Sequence, residues 1–575
     1  MGIARSLLRL AAVAALACTP APGGAAAQGD GPPMDPATGA LKPPPIAPGS
    51  RLGVAHMLPR YKPNGVLGPD VLPAGAEDAY RLGFRTLKIG MNIEVTTPQR
   101  HYYSLPDEAL ARVKSIVDLA RLDAFKKVLD MPFQTFFLCA DAIAEEGHWG
   151  TIRGVLLPSP EPDRPFTSVA RENIYRQIYD LSKYLLTTYK GSGKVFILQN
   201  HESDWHVVRE PSPASTPSDI ALANLRDYFD LRQKAVDDAR REVGATDVYL
   251  YHLAEVNEVA KAMAGNKTVT NNVIPLVHPD LVGYSVWDTP SVRPAQFQKA
   301  IAFLRARSND SFAFGNNNVV ITELGLAECA LPDYVGVKVT CFLVPLVMNV
   351  PWVLHWTLYD NECYVTKEGV KDLALDAKEK DCTGTWVRKP DGSLGRLFRA
   401  YRPYLAAENP FALEPTDPDA YVDELYLATL GRKVDPQARA GAVALIRTRP
   451  WDKESLLKVI LASAEYKNRT AGSSAAVTFD VYRVLMGRDP EPRAMPYLLR
   501  AFTRDPERTA YVDRMINTEE GRRRYVTWLY RKALGQPPDA AGLAWGLEAL
   551  KTHSRQQLHA AFLQGPAAPR GLSSR

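Results

Sequence analysis

Eight apolar, strand-like runs alternate with longer amphipathic stretches up to about residue 410, and no such run follows. These observations predict an α/β chain: a (β/α)8 barrel of the TIM type, then an all-α repeat domain. An open doubly wound sheet would want a Gly-rich phosphate turn after an early strand, and none is present. At 575 residues the chain exceeds one core.

Residues 1–27 read as an export signal. Arg5 and Arg9 precede the apolar Leu10 to Ala17, and Ala25-Ala26-Ala27 offers a small-residue cleavage site. Lipoprotein processing at Cys18 ranks lower, because Ala15 stands where such sites usually carry Leu. The expected location is secreted or periplasmic. Residues 28–50 are rich in Pro and Gly and read as a linker. No later run is long and apolar enough to predict an integral membrane segment in the mature chain. A formal charge of +5 with no basic arm argues against a nucleic-acid partner.

The barrel is expected over 51–410. Its strand candidates are Leu52 to Met57, Thr86 to Met91, Gln134 to Cys139, Val195 to Gln199, Val248 to Leu253, Leu281 to Trp287, Asn318 to Thr322 and Trp352 to Trp356. Helices are expected between them, among them Asp107 to Leu129, Ser168 to Tyr189, Ala221 to Glu242 and Pro294 to Arg307. After removal of the signal, five cysteines remain. Cys139 reads as a buried thiol, Cys363 with Cys382 as a loop-closing disulfide, and Cys329 with Cys341 as another pairing that spacing leaves open. Neither a CxxC nor a His/Cys cluster suggests a structural metal, and no cofactor is expected.

From 411 to 575 the pattern turns helical, and a motif recurs: YVDELYLATLGRKVD from Tyr421, VTFDVYRVLMGRDPE from Val477 and YVTWLYRKALGQPPD from Tyr525. Gly431, Gly487 and Gly535 fall where each amphipathic helix should stop, which predicts C-caps. These units resemble the secreted-protein family called domain of unknown function 4214, whose pattern is close to YVxxLYxxxLGRxPD. The middle copy departs at Phe479 and Met486. The resemblance implies an extracellular accessory region, with cell-surface or exopolysaccharide association, and no catalytic residue.

Barrel active sites lie at the C-terminal strand ends. The fourth strand runs into Asn200-His201-Glu202-Ser203-Asp204-Trp205, and Glu323 follows Val320-Ile321-Thr322 at the seventh. His252, Glu255 and Glu258 follow the fifth, Tyr284, Trp287 and Asp288 end the sixth, and Trp356, Asp360 and Glu362 close the eighth. Two carboxylates on strand ends amid aromatic rings suit retaining glycoside hydrolysis, which needs one protonated acid and one ionised nucleophile.

On these residues the barrel resembles the clan A superfamily of glycoside hydrolases. There the acid/base Glu closes the fourth strand, usually as Asn-Glu, the nucleophile Glu closes the seventh, and a Trp closes the eighth. The resemblance implies Glu202 as acid/base and Glu323, in ITELG, as nucleophile. Asn200, His201, Trp205, Tyr284, Trp287, Trp356 and Asp360 are the expected substrate contacts, and a polysaccharide or oligosaccharide is the expected partner. The departure is His201, inserted between Asn and Glu. Either a bulge restores Asn200, or His201 takes its role, or hydrolysis is lost, leaving a glycan-binding or cell-surface scaffold as the alternative. The bland readings are a salt-bridged structural Glu323 and core roles for Trp205, Trp287 and Trp356. His201-Glu202-Ser203-Asp204-Trp205-His206 also spells HExxxH. A five-residue spacing turns the second imidazole about 140° around a helix, against one-face zinc binding.

Overall fold

The computed structural model describes residues 44–563 with short interruptions, the longest at 144–150, 157–162 and 406–414. The signal and most of the linker expected over 1–50 lie outside the described residues.

The eight strands are β1 (Leu52–His56), β2 (Thr86–Met91), β3 (Thr135–Ala140), β4 (Val195–Gln199), β5 (Tyr249–Val256), β6 (Leu281–Ser285), β7 (Val319–Leu324) and β8 (Val353–His355). They pair in parallel in chain order, and β8 returns to β1 to close the barrel. The (β/α)8 expectation therefore holds, with strand ends shifted by up to three residues. The largest shift is in β5, which continues to Val256 and takes Glu255 into the strand.

Helices such as Ser168–Thr188, Asp219–Val243 and Pro294–Arg307 cover the outside. Thr167 and Ser218 cap the first two, their hydroxyls accepting from the N–H groups of Ala170 and Ala221. The single helix expected over Asp107 to Leu129 is instead three pieces: Asp107–Leu110, Ile116–Arg121 and Asp123–Asp130. Ser115 starts a new helix through a reciprocal capping box with Asp118, and Leu122 adopts extended backbone between the last two.

Side chains of alternating strand residues fill the interior. Phe137, Ile197, Tyr251, Leu253, Val320 and Trp352 form its apolar plug. Two residues further along, on the same parity, stand Gln199, Glu255 and Thr322, with Lys88 level with Phe137 by register. The interior thus changes from hydrocarbon to polar toward the C-terminal mouth.

Beyond the barrel, the three repeat glycines end helices as expected. Gly431, Gly487 and Gly535 take φ of 70°, 63° and 72° after Pro418–Leu430, Ser474–Met486 and Glu519–Leu534. Only glycine adopts this left-handed C-cap without cost. The helical region packs on the barrel. Asp480 is buried and accepts from the hydroxyls of Tyr404 and Tyr466, both at 2.7 Å, and from Arg469. Cys363 and Cys382 form the expected disulfide, whereas Cys329 and Cys341 are free, the first exposed and the second buried. Cys139 is free and buried. Among the described residues no helix is long and apolar enough to cross a membrane.

Candidate active site

Glu323 sits near the end of β7, where the ladders to both neighbouring strands shift register. The shift breaks strict alternation, so Thr322 and Glu323 both serve the interior. The Glu323 carboxylate is buried and held on both oxygens. Lys88 Nζ lies 2.6 Å from Oε1, while Ser285 Oγ and Trp287 Nε1 each donate to Oε2 across 2.9 Å. Burial alone would raise its pKa. Lys88, then His201, then the hydrogen bonds reverse that, and the carboxyl is held below its ordinary value. Burial equally disfavours the Lys88 ammonium, but the carboxylates of Glu323 and Glu255 keep it charged with its pKa raised.

Glu202 follows β4 in left-handed backbone, φ 41° and ψ 57°, a conformation that costs a non-glycine residue about 1–2 kcal/mol. Its backbone N–H donates to Glu255 Oε2 across 2.7 Å, which holds the turn. Glu255 Oε1 accepts from Gln199 Nε2 at 3.1 Å and Thr322 Oγ1 at 2.7 Å, and Lys88 Nζ lies 3.8 Å away. Burial raises the Glu255 pKa, with Lys88 the main opposing charge. Asp204 ties the same turn to the segment after β5, accepting from the N–H groups of Asn257, Glu258 and Val269.

The Glu202 side chain keeps 30% of its exposure and faces the mouth. Burial pushes its carboxyl up to about 7; His201 opposes this, while Glu323 and Glu255 add to it. The inserted His201 stands between the two carboxyls. Its Nδ1 is 3.9 Å from Glu202 Oε2 and its Nε2 is 3.9 Å from Glu323 Oε1. Burial would lower the imidazole pKa, but Glu202, Glu323 and Glu255 together raise it.

The structure therefore brings Glu202, His201, Glu323 and Trp287 together. Trp287 is 41% exposed and keeps a free ring surface beside the nucleophile candidate. Trp356 adjoins Lys88: it is buried, with Lys88 Nζ 5.3 Å from its ring centre. Trp205 lies half-buried in the turn after Glu202.

Asn200, Tyr284 and Asp360 are not brought to the cluster as ligand-facing groups. Asn200 is buried and bonds inward, Oδ1 to the Glu255 N–H and Nδ2 to Ser203 Oγ. Tyr284 turns to the helical layer, its ring 6.2 Å from Phe297 and its hydroxyl on Asp288. Asp360 is buried and accepts from the N–H groups of Glu362, Gly384 and Thr385 and the hydroxyl of Thr385.

Sequence reasoning missed Lys88 and underrated Glu255. The signal for Lys88 was a lone cation inside the apolar run TLKIGM, since a buried lysine needs a partner. The two imidazoles of HExxxH serve separately: His201 faces the carboxylates, while burial presses His206 down to about 3. Among the described residues the one close cluster with metal-ligand atoms is Asp360, Cys363 and Cys382, and both its sulfurs belong to the disulfide.

No family model matches the chain, and no curated protein sequence matches it. Solved structures do. A GH5-4 broad-specificity endoglucanase from Clostridium acetobutylicum aligns over 63% of this chain and 98% of its own at 12% identity, TM-score 0.36. A glycoside hydrolase 5 lichenase from Caldicellulosiruptor sp. F32 aligns over 64% and 96% at 10% identity, TM-score 0.35. A β-glucosidase from Exiguobacterium marinum aligns over 54% and 90% at 13% identity, TM-score 0.34. Likeness this distant says nothing of activity, and the closed ladder of eight parallel strands defines the barrel on its own.

Proposed function

We propose that the chain is a retaining glycoside hydrolase of poly- or oligosaccharides, with Glu202 as acid/base and Glu323 as nucleophile. The observation that carries this reading is the opposite tuning of two carboxyls that share one imidazole: Glu323 below its ordinary value, Glu202 at about 7. One group is thereby poised as an anion and the other as an acid, the division of labour that double displacement requires. A Glu323 oxygen attacks the anomeric carbon as the glycosidic C–O bond breaks, and Glu202 gives its proton to the leaving oxygen. Glu202 then takes a proton from water, whose oxygen releases the sugar from Glu323. Lys88, Ser285 and Trp287 orient the nucleophile, and the exposed Trp287 ring offers a face for a sugar.

Export is part of the same reading. The N-terminal signal pattern and the Cys363–Cys382 disulfide both support an oxidising compartment. The helical repeats, through their resemblance to the domain of unknown function 4214, support attachment at a cell surface or exopolysaccharide.

The test is reducing-end release from a panel of β-glucans, with trapping by a 2-fluoro glycoside. Glu323→Gln should lower kcat by at least about three orders of magnitude, and the adduct should map to Glu323. Full turnover by Glu323→Gln, or glycan binding by the wild type without cleavage, would overturn the proposal.

A further inference from the structure

Away from the barrel mouth, a cavity of about 750 Å³ opens where the barrel meets the helical region. Among the described residues its lining holds Arg396, Arg399, Arg402, Arg432 and Arg469 and a single carboxylate, Glu465. Glu465 is taken by Arg432, in a two-pronged pair at 2.6 and 2.7 Å. Arg469 is taken by Asp480 and the Ala400 carbonyl. The remaining three have no carboxylate partner among the described residues. Among the described residues Arg396 donates only to the Pro332 carbonyl, at 3.3 Å.

These three follow one another at three-residue steps along Arg396–Tyr401 and the turn after it. Such spacing stacks guanidinium groups on one face at steps of about 4.5 Å along the axis. Unpaired like charges on one face repel, and Arg402 is also half-buried, where its desolvation is uncompensated. Burial, with Arg388 nearby, lowers the Arg402 pKa.

We propose that this cavity binds a small oxyanion-bearing ligand, whose carboxylate or phosphate groups fill the forks of Arg396, Arg399 and Arg402. Planar guanidinium groups bind both oxyanions in two-pronged geometry. The volume suits a small-molecule ligand. Among the described residues the lining has no aromatic ring on which a nucleobase would stack.

The test is calorimetric titration of the full chain at low ionic strength with trigalacturonate, glucose 6-phosphate and, as neutral control, maltotriose. An anionic probe should bind while maltotriose does not, and the better of the two anions identifies the group. Arg399→Ala, at an exposed position, and the double variant Arg399→Gln/Arg402→Gln should each weaken binding at least about tenfold. The ligand-free double variant should unfold at no lower temperature than wild type, since it relieves repulsion. Glu323→Gln should bind as wild type does, which separates this site from the catalytic reading. Absence of binding by both anions, or binding unchanged in Arg399→Ala, would overturn the proposal.

Discussion

Lys88 and Glu323 meet across 2.6 Å inside the barrel, with essentially no exposure of either side chain. Strands β2 and β7, separated by β1 and β8 around the ring, supply them, so the pair exists only in the closed barrel. Glu255 shares the same ammonium at 3.8 Å.

Lys88→Met should leave two buried carboxylates without their cation. Removing one partner of a buried pair costs about 3–5 kcal/mol, and the Glu323 pKa should rise with the loss of its strongest stabilising charge. Urea denaturation measures the first effect. A loss under about 1 kcal/mol would show that the pair does not hold the barrel together.

The pH profile of kcat/KM should be bell-shaped. Glu202 must be protonated to act as acid, so activity declines as pH rises through about 7. Glu323 must be ionised, so the acid limb lies below the ordinary carboxylate range. His201 lowers the Glu202 pKa by its charge, and His201→Ala should move the basic limb to higher pH. An unmoved basic limb would remove His201 from the acid's environment.

Glu255→Gln should move the basic limb the other way. The Glu255 charge raises the Glu202 pKa, and its Oε2 holds the left-handed Glu202 backbone. Looser placement of the acid should lower kcat by about 10- to 100-fold with a smaller change in KM. A variant that loses activity with no shift of the profile would mark Glu255 as structural support alone.

The Cys363–Cys382 bridge closes a 19-residue separation, and the loop-closure model assigns about 3 kcal/mol to such a link. The double Ser variant should lose that much in denaturant titration. In unreduced, denatured protein, iodoacetamide should label Cys139, Cys329 and Cys341 and spare Cys363 and Cys382.

Much of this was legible in the residues themselves. A run such as VFILQ declares a buried strand by local composition, and an abrupt polar end declares the barrel mouth. That sufficed to place Glu202 and Glu323 at their strand ends. The repeat glycines were legible for the same reason, because a left-handed C-cap is a local demand on φ. Asn200 was not legible: whether its amide faces a ligand or the Glu255 backbone depends on the β4–β5 register.

The sequence by itself determined the order of the barrel strands, the two carboxylates at strand ends and the glycine stops of the repeat helices, since each follows from short-range pattern, while it left the cysteine pairing open. The tertiary structure decided which groups share charge. Lys88 meets Glu323 and Glu255, His201 stands between the two carboxyls, and three arginines line a cavity without carboxylate partners among the described residues, because closure of the ring and docking of the helical region set those distances. Electrostatic tuning depends on separation and burial, and neither is encoded in any contiguous stretch of the chain.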